Sequence, residues 1–109
     1  METYGPYRAV VIEVHDGDTM RLDIDLGFGV TYGISCRVFG INAPELRTQA
    51  GKDALAFALT LVQPGDQVMT LSHGWDKYGG RFDGEITLPD GRSFGAIMLE
   101  TGHAVPFAG

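Results

Sequence analysis

Across residues 19–26 the side chains alternate without a slip. Met20, Leu22, Ile24 and Leu26 fall on one side, and Arg21, Asp23 and Asp25 on the other. A period of two is a strand with one dry face and one wet face. A helix is excluded here, because at 3.6 residues per turn the same letters would scatter apolar groups around the axis. Such a strand needs neighbours, and the flanking sequence supplies them. Residues 7–14 (YRAVVIEV) are β-branched and aromatic and read as a strand. His15-Asp16-Gly17-Asp18 is a turn, as is Gly27-Phe28-Gly29. Residues 30–41 read as a third strand, with Gly33 a place for a bulge. The first 41 residues are therefore expected to form a three-stranded antiparallel meander.

Asn42-Ala43-Pro44-Glu45 follows as a non-regular corner, since a residue before proline avoids the helical region. The period then changes. Leu55, Ala58, Leu59 and Val62 fall at i, i+3, i+4 and i+7, predicting an amphipathic helix over residues 49–62. Pro64-Gly65-Asp66 ends it. Short strands are expected at 67–72 and 81–88, with a turn at Pro89-Asp90-Gly91. Ser93 can cap a second helix over 94–101, and Gly102 sits where a helix-ending glycine belongs. The order β-β-β-α-β-β-α, five strands with a helix between the third and fourth, is the connectivity of an OB-fold barrel, a β-barrel with helices in the α+β class. At 109 residues one such domain accounts for the whole sequence.

Composition narrows the partners. Hydrophobic residues make up 44% and charged residues 20%, as in a globular chain and unlike a disordered tail. No apolar run approaches the roughly 18 residues needed to span a membrane. The first residues show neither a basic stretch nor an apolar one, so no secretory signal is read, and an intracellular or phage-encoded protein is expected. A monomer is expected. Cys36 is the only cysteine, which excludes an internal disulfide and a cysteine-built zinc site. The net charge of −6 predicts slow, unsteered encounter with a polyanion. It does not forbid binding, because charges more than about 8 Å apart are largely screened and a local arginine cluster outweighs distant acids.

Three fragments can carry chemistry. Asp16-Gly17-Asp18-Thr19 is either a turn rich in aspartate or a hard-cation site, since Ca²⁺ takes oxygen ligands. Arg37 lies in an otherwise apolar strand whose neighbour carries Asp18, and Glu45 follows the corner. Alone, the first is a surface charge and the second a helix-start acid. Asp76-Lys77-Tyr78-Gly79-Gly80-Arg81 is alone a polar hairpin loop.

Taken in order, the fragments resemble the staphylococcal nuclease family, the thermonucleases or SNase-like domains. The resemblance is carried by VxxVxDGDT at residues 11–19, RxxGIxAPE at 37–45, a DKYGxR-type loop at 76–81 and LxxGxA at 99–104. It covers nearly the whole chain. It implies an OB barrel with helices and Ca²⁺-dependent hydrolysis of phosphodiesters in DNA and RNA, single strands preferred, leaving 3′-phosphates. By position, Asp18 resembles a direct Ca²⁺ ligand, Asn42 a second and the Ala43 carbonyl a third. Asp16 resembles an acid of the outer coordination sphere that holds ion-bound water. Glu45 resembles the general base toward the attacking water. Arg37 and Arg81 resemble the two arginines that grip the phosphate, and Lys77 and Tyr78 resemble contacts to the nucleotide. Such chemistry suits these residue types. A phosphodiester is anionic and repels nucleophiles, and a planar guanidinium meets two of its oxygens at once, most strongly as charge builds in the transition state.

Two positions depart from the pattern. Asn42 stands where the family usually has an acid, so Ca²⁺ affinity on the order of 10⁻⁴–10⁻³ M is expected. Gly80 is an insertion in the loop and would turn Arg81 to the opposite face unless a bulge absorbs it. With such departures the barrel can also serve as a catalytically silent module that binds nucleic acid or protein. Four other side chains stay ambiguous: His15 beside the aspartate turn, Trp75 as a base-stacking or packing group, Phe107 as a stacking platform or a tail aromatic, and Cys36 as a buried thiol.

Overall fold

The alternation at residues 19–26 becomes the middle of a meander. In the computed structural model, which describes residues 2–108, β1 (Tyr4–Asp16), β2 (Thr19–Gly27) and β3 (Val30–Val38) pair antiparallel in sequence order. Met20, Leu22 and Ile24 are buried, and Arg21 and Asp25 face solvent. Leu26 breaks the expectation and is 45% exposed. The pairing slips between Asp25 and Gly27, just at the hairpin, so the dry face ends one residue pair early. Gly33 is not a bulge: it pairs in register with Asp23, and the irregularities lie at that hairpin and in β1. The third strand stops at Val38 rather than residue 41. Gly40, at φ +84, turns the chain before the two-residue β4 (Ile41–Asn42).

Helix α1 (Gln49–Leu61) starts where Thr48 accepts the Gly51 N–H at 3.0 Å. Of the expected stripe, Ala58 and Val62 are buried and Leu55 and Leu59 pack against the core. Within α1 itself Gly51, Ala54 and Ala58 are the buried residues, flanked by half-buried Leu55 and Leu59. Small side chains let the axis lie close to its neighbours. β5 (Gln67–Trp75) and β6 (Arg81–Thr87) follow as an antiparallel pair, the former three residues longer than expected. Helix α2 (Phe94–Glu100) is capped by Ser93, which accepts from the Ala96 N–H, and ends with Gly102 at φ +75. There the His103 and Gly102 N–H groups reach the Met98 and Leu99 carbonyls, a Schellman close. A last short strand, β7 (Val105–Pro106), pairs antiparallel with β4.

The barrel closes in the order β1-β2-β3-β6-β5 and back to β1. Every junction is antiparallel except β3–β6, where Ser35, Arg37 and Val38 meet Arg81, Asp83 and Gly84 in parallel register. A parallel junction needs a long crossover, and α1 with β5 provides it. Met20, Leu22, Cys36, Val38, Phe82 and Ile86 fill the inside, joined by Ala54 and Ala58 of α1 and Phe94 and Met98 of α2 in one core. Residues that alternate with them point outward. Thr19, Arg21, Ser35, Arg37, Arg81 and Asp83 consequently share the outer face of β2, β3 and β6. The structure is thus a closed five-stranded barrel with two helices. Among the described residues no helix is long and apolar enough to cross a membrane.

Candidate functional site

The aspartate turn and the proline corner touch. Asp16 Oδ1 accepts the Asp18 N–H at 3.0 Å and tightens the turn. A β-carbon on Gly17 would lie 2.7 Å from Ala43 Cβ and 3.1 Å from Ala54 Cβ, so only glycine lets the turn pack so near the corner. Asp18 is 8% exposed. Its two carboxylate oxygens accept from the Thr19 hydroxyl at 3.0 Å and from the Ala43 N–H at 2.8 Å. The second bond spans 25 positions of sequence and fixes Asp18 against the Asn42-Ala43 corner. Burial, and next the Asp18 side chain, push the Asp16 carboxyl above its ordinary range.

Arg37 is anchored to the same corner. Its Nη1 donates to the Ile41 carbonyl at 3.0 Å and to the Val38 carbonyl at 3.4 Å, and its Nη2 to Asn42 Oδ1 at 3.1 Å. Nη2 also stands 3.9 Å from Asp18 Oδ2. Over the plane lies the Phe107 ring, 4.6 Å from its centroid to the guanidinium carbon. The β4–β7 pairing and a bond from the Phe107 N–H to the Gly40 carbonyl place that ring. Phe107 thus stacks on Arg37, a role the sequence reading did not foresee. Arginine has five N–H groups. Here the Nε–H and one Nη2–H make no hydrogen bond among the described residues, which leaves a two-pronged donor for an anion.

Arg81 reaches the same outer face. Gly79 and Gly80 both take positive φ, +75 and +74, so Gly80 is accommodated in the loop, before β6 begins. The expected bulge is not at Gly80; the strand irregularity lies in β5, between Ser72 and Trp75. Arg81 Nε stands 3.5 Å from Asp76 Oδ2. Asp76 is 7% exposed and is held below the usual carboxylate range, first by the Tyr78 N–H at 2.9 Å. Arg81 and Tyr78 border a groove of about 430 Å³ with His15, Thr19, Arg21 and Ser35. Lys77 lies over the Tyr78 ring, 5.3 Å from its centroid.

Glu45 stands apart. Its backbone carbonyl is fixed by the Thr48 N–H and hydroxyl, but its carboxylate is exposed and pairs with Arg47 Nε at 2.6 Å. No hydrogen bond among the described residues joins it to Asp18 or Arg37. Trp75 is 66% exposed and lines, with Tyr4, Tyr32, Leu26 and Phe82, a separate apolar groove of about 360 Å³. Four groups escaped the sequence motifs: Arg21, Asp83, Arg47 and Phe107's hold on Arg37. Of these, Arg21 was discoverable, since the alternation that buries Met20 sends Arg21 to the face of Thr19.

Cys36 adjoins Arg37 but points the other way, into the core. Burial pushes its thiol up to about 12. At pH 8 that leaves roughly 10⁻⁴ of it as thiolate, the reactive form. The folded protein is expected to resist an aromatic disulfide reagent at pH 8 and to react fully in denaturant, as absorbance of the released thiolate would record.

The oxygen atoms gathered here are the carboxylates of Asp18 and Asp16 and the Asn42 amide oxygen, the last already accepting from Arg37. Each Asp18 oxygen accepts one bond and keeps a lone pair. Carboxylate and amide oxygens are the donor type a hard divalent ion takes. Among the described residues no three acidic, histidine or cysteine side chains gather as a metal group. No known family model matches the chain, and no curated protein matches it.

Proposed function

We propose that this chain is an OB-type barrel of the staphylococcal nuclease kind that hydrolyses phosphodiester bonds of DNA and RNA, single strands preferred, with Ca²⁺ as cofactor and 3′-phosphates as products. The observation that carries this reading is the bond between Asp18 and the Ala43 N–H, beside Arg37. It joins residues from two separate motifs at one point on the surface.

In this reading Arg37 and Arg81 receive the phosphate. Arg37 needs no reorganisation, because three hydrogen bonds and the Phe107 ring already aim its open N–H groups. Donors fixed before the reaction are worth most when negative charge develops. Arg21 lines a groove with Arg81, though not with Arg37, and adds a third positive charge. Tyr78 lies at the groove's edge, where a base can stack on it. Glu45 accepts the water proton once it leaves Arg47. Asp18, Asn42 and the Ala43 carbonyl, with Asp16 behind them, would hold Ca²⁺, which would supply charge neutralisation.

The test is cleavage of single-stranded DNA and RNA with Ca²⁺, abolished by chelator, together with a Ca²⁺-dependent rise in melting temperature. Glu45→Gln is expected to lose about 10²–10⁴-fold in rate and to keep its affinity for nucleotide. Wild-type turnover in that variant removes Glu45 as the base. No Ca²⁺-dependent cleavage by the wild type removes the reading itself.

One observation favours a second reading. The Asn42 amide oxygen is taken by Arg37 and brings no charge, while Glu45 is engaged by Arg47. A barrel so arranged binds nucleic acid without cutting it. The same assay separates the two readings, by retention without degradation.

A further inference from the structure

We propose that the groove between Arg21 and Arg81 is a second phosphate subsite, which takes the phosphodiester next to the one that Arg37 and Arg81 receive. This rests on the reading that those two arginines receive a phosphodiester. Strand register carries the inference. Ser35 of β3 pairs with Arg21 of β2 on one side and with Arg81 of β6 on the other, so the three lie in one row across the outer face. Neighbouring strands are about 4.8 Å apart, which sets the two arginine backbones about 10 Å apart with only a serine between them. Two long cationic side chains thus wall a depression floored by a small hydroxyl, and the groove of about 430 Å³ lies there. Arg37 stands two residues along β3 from Ser35, in the next row with Thr19. At about 3.3 Å per residue the two rows are about 7 Å apart. An extended single strand that lays one phosphate on Arg37 and Arg81 therefore brings the neighbouring phosphate within reach of Arg21.

Arg21 is uncommitted in the unliganded protein. Its ladder partner on β1 is Glu13, of opposite charge, yet Glu13 stands 3.8 Å from His15 instead. The Arg21 guanidinium leans over β3, where a β-carbon on Gly33 would come 3.4 Å from Nη2, and Asp23 reaches the same bare position. Among the described residues no hydrogen bond or ion pair engages Arg21, and its side chain is exposed. Arg47 and Arg92, by contrast, are each paired with a carboxylate. An arginine with none of its five N–H groups spent offers a full fork to phosphate oxygens. Within the groove two guanidiniums face one carboxylate, that of Glu13, so an anion is favoured. The ligand class that fits is a chain with at least two successive phosphodiesters. A dinucleotide fills one phosphate position only, and cleavage falls in the interior of a strand.

The experiment measures, in chelator and across salt concentrations, the affinity of a deoxydinucleotide and of a deoxytetranucleotide, neither with a terminal phosphate. The wild type is expected to bind the longer chain more tightly. Arg21→Gln is expected to lose about tenfold on the tetranucleotide, the scale of one charge-assisted hydrogen bond, and under about threefold on the dinucleotide. Its plot of log affinity against log salt is expected to be shallower by about 0.7, the slope of one phosphate contact on a single strand. Arg21→Lys is expected to keep the wild-type slope, because the slope counts charges. Arg92→Gln, remote from the groove and paired with Asp90, is expected to bind as the wild type does. A loss in Arg92→Gln equal to that in Arg21→Gln reduces the effect to overall charge and overturns the proposal. Equal losses on the two oligonucleotides in Arg21→Gln overturn the separate subsite. Wild-type affinity and slope in Arg21→Gln, with binding lost in Arg37→Ala, overturn this proposal alone. Absence of binding by the wild type overturns it together with the phosphodiester reading.

Discussion

If the proposed activity holds, Arg37→Ala is expected to lower the rate of phosphodiester cleavage by about 10³–10⁵-fold, the range for an arginine that stabilises charge in phosphoryl transfer. Arg37→Lys recovers little of it. The reason is geometric. Three of the Arg37 N–H groups hold the Ile41 and Val38 carbonyls and the Asn42 amide, and two remain for the substrate. A lysine has three donors on a flexible stem and cannot both hold the corner and present a planar fork. Arg37→Ala also leaves the partly buried Ile41 carbonyl without its partner, costing about 1–3 kcal/mol. Circular dichroism and melting separate that loss from the chemical one, because the folded fraction at 25 °C stays near one while single-turnover cleavage collapses. Cleavage within tenfold of wild type in Arg37→Ala would place the phosphate elsewhere.

Gly51→Ala destabilises the protein, against the rule for helices. In a helix interior, alanine in place of glycine gains about 1 kcal/mol. At Gly51 a β-carbon would overlap the Glu45 carbonyl oxygen, lie 2.5 Å from the Glu45 carbonyl carbon and 2.9 Å from Leu46 Cα. All of these are backbone atoms and none can rotate away. Overpacking of this kind costs about 1–3 kcal/mol, sometimes more, and here the rigid neighbour puts it at the upper end. The expected net loss is about 2 kcal/mol, or roughly 10 °C in melting temperature for a domain of this size. To relieve the overlap, α1 and the Glu45 corner must separate. Cleavage by the variant therefore falls even at temperatures where it is folded. A higher melting temperature for Gly51→Ala would show that the helix and the corner are not in contact.

What the letters disclose and what they hide follows from range. The Met20-Leu22-Ile24 alternation and the Ser93 and Gly102 caps are local, and each appears in the structure where it was read. The meeting of Asp18, Arg37, Asn42 and Ala43 was suggested by two motifs acting together, and the Asp18–Ala43 bond links them. Other features depend on pairings across long stretches of chain. Asp83 opposes Arg37 only because β6 lies parallel to β3, and nothing near Asp83 in sequence says so. Phe107 covers Arg37 through a strand pair of two residues each, too short to leave a pattern. The helix was read from Leu55, Ala58, Leu59 and Val62, a stripe that contains the buried Ala58 and Val62 but misses Gly51 and Ala54, because the tightest packing favours the least bulk. Glu45 departs for another reason: an exposed carboxylate is claimed by whichever cation is within reach, here Arg47 two residues on.

The parallel junction between β3 and β6 has a kinetic meaning. It joins segments 46 positions apart, Ser35 with Arg81, whereas the hairpins on either side join near neighbours. Loop-closure entropy makes such a distant seam slow to zip and weakens its claim to form early. Arg37 waits on one side of the seam and Arg81 on the other, so the two guanidiniums become neighbours only when that seam closes.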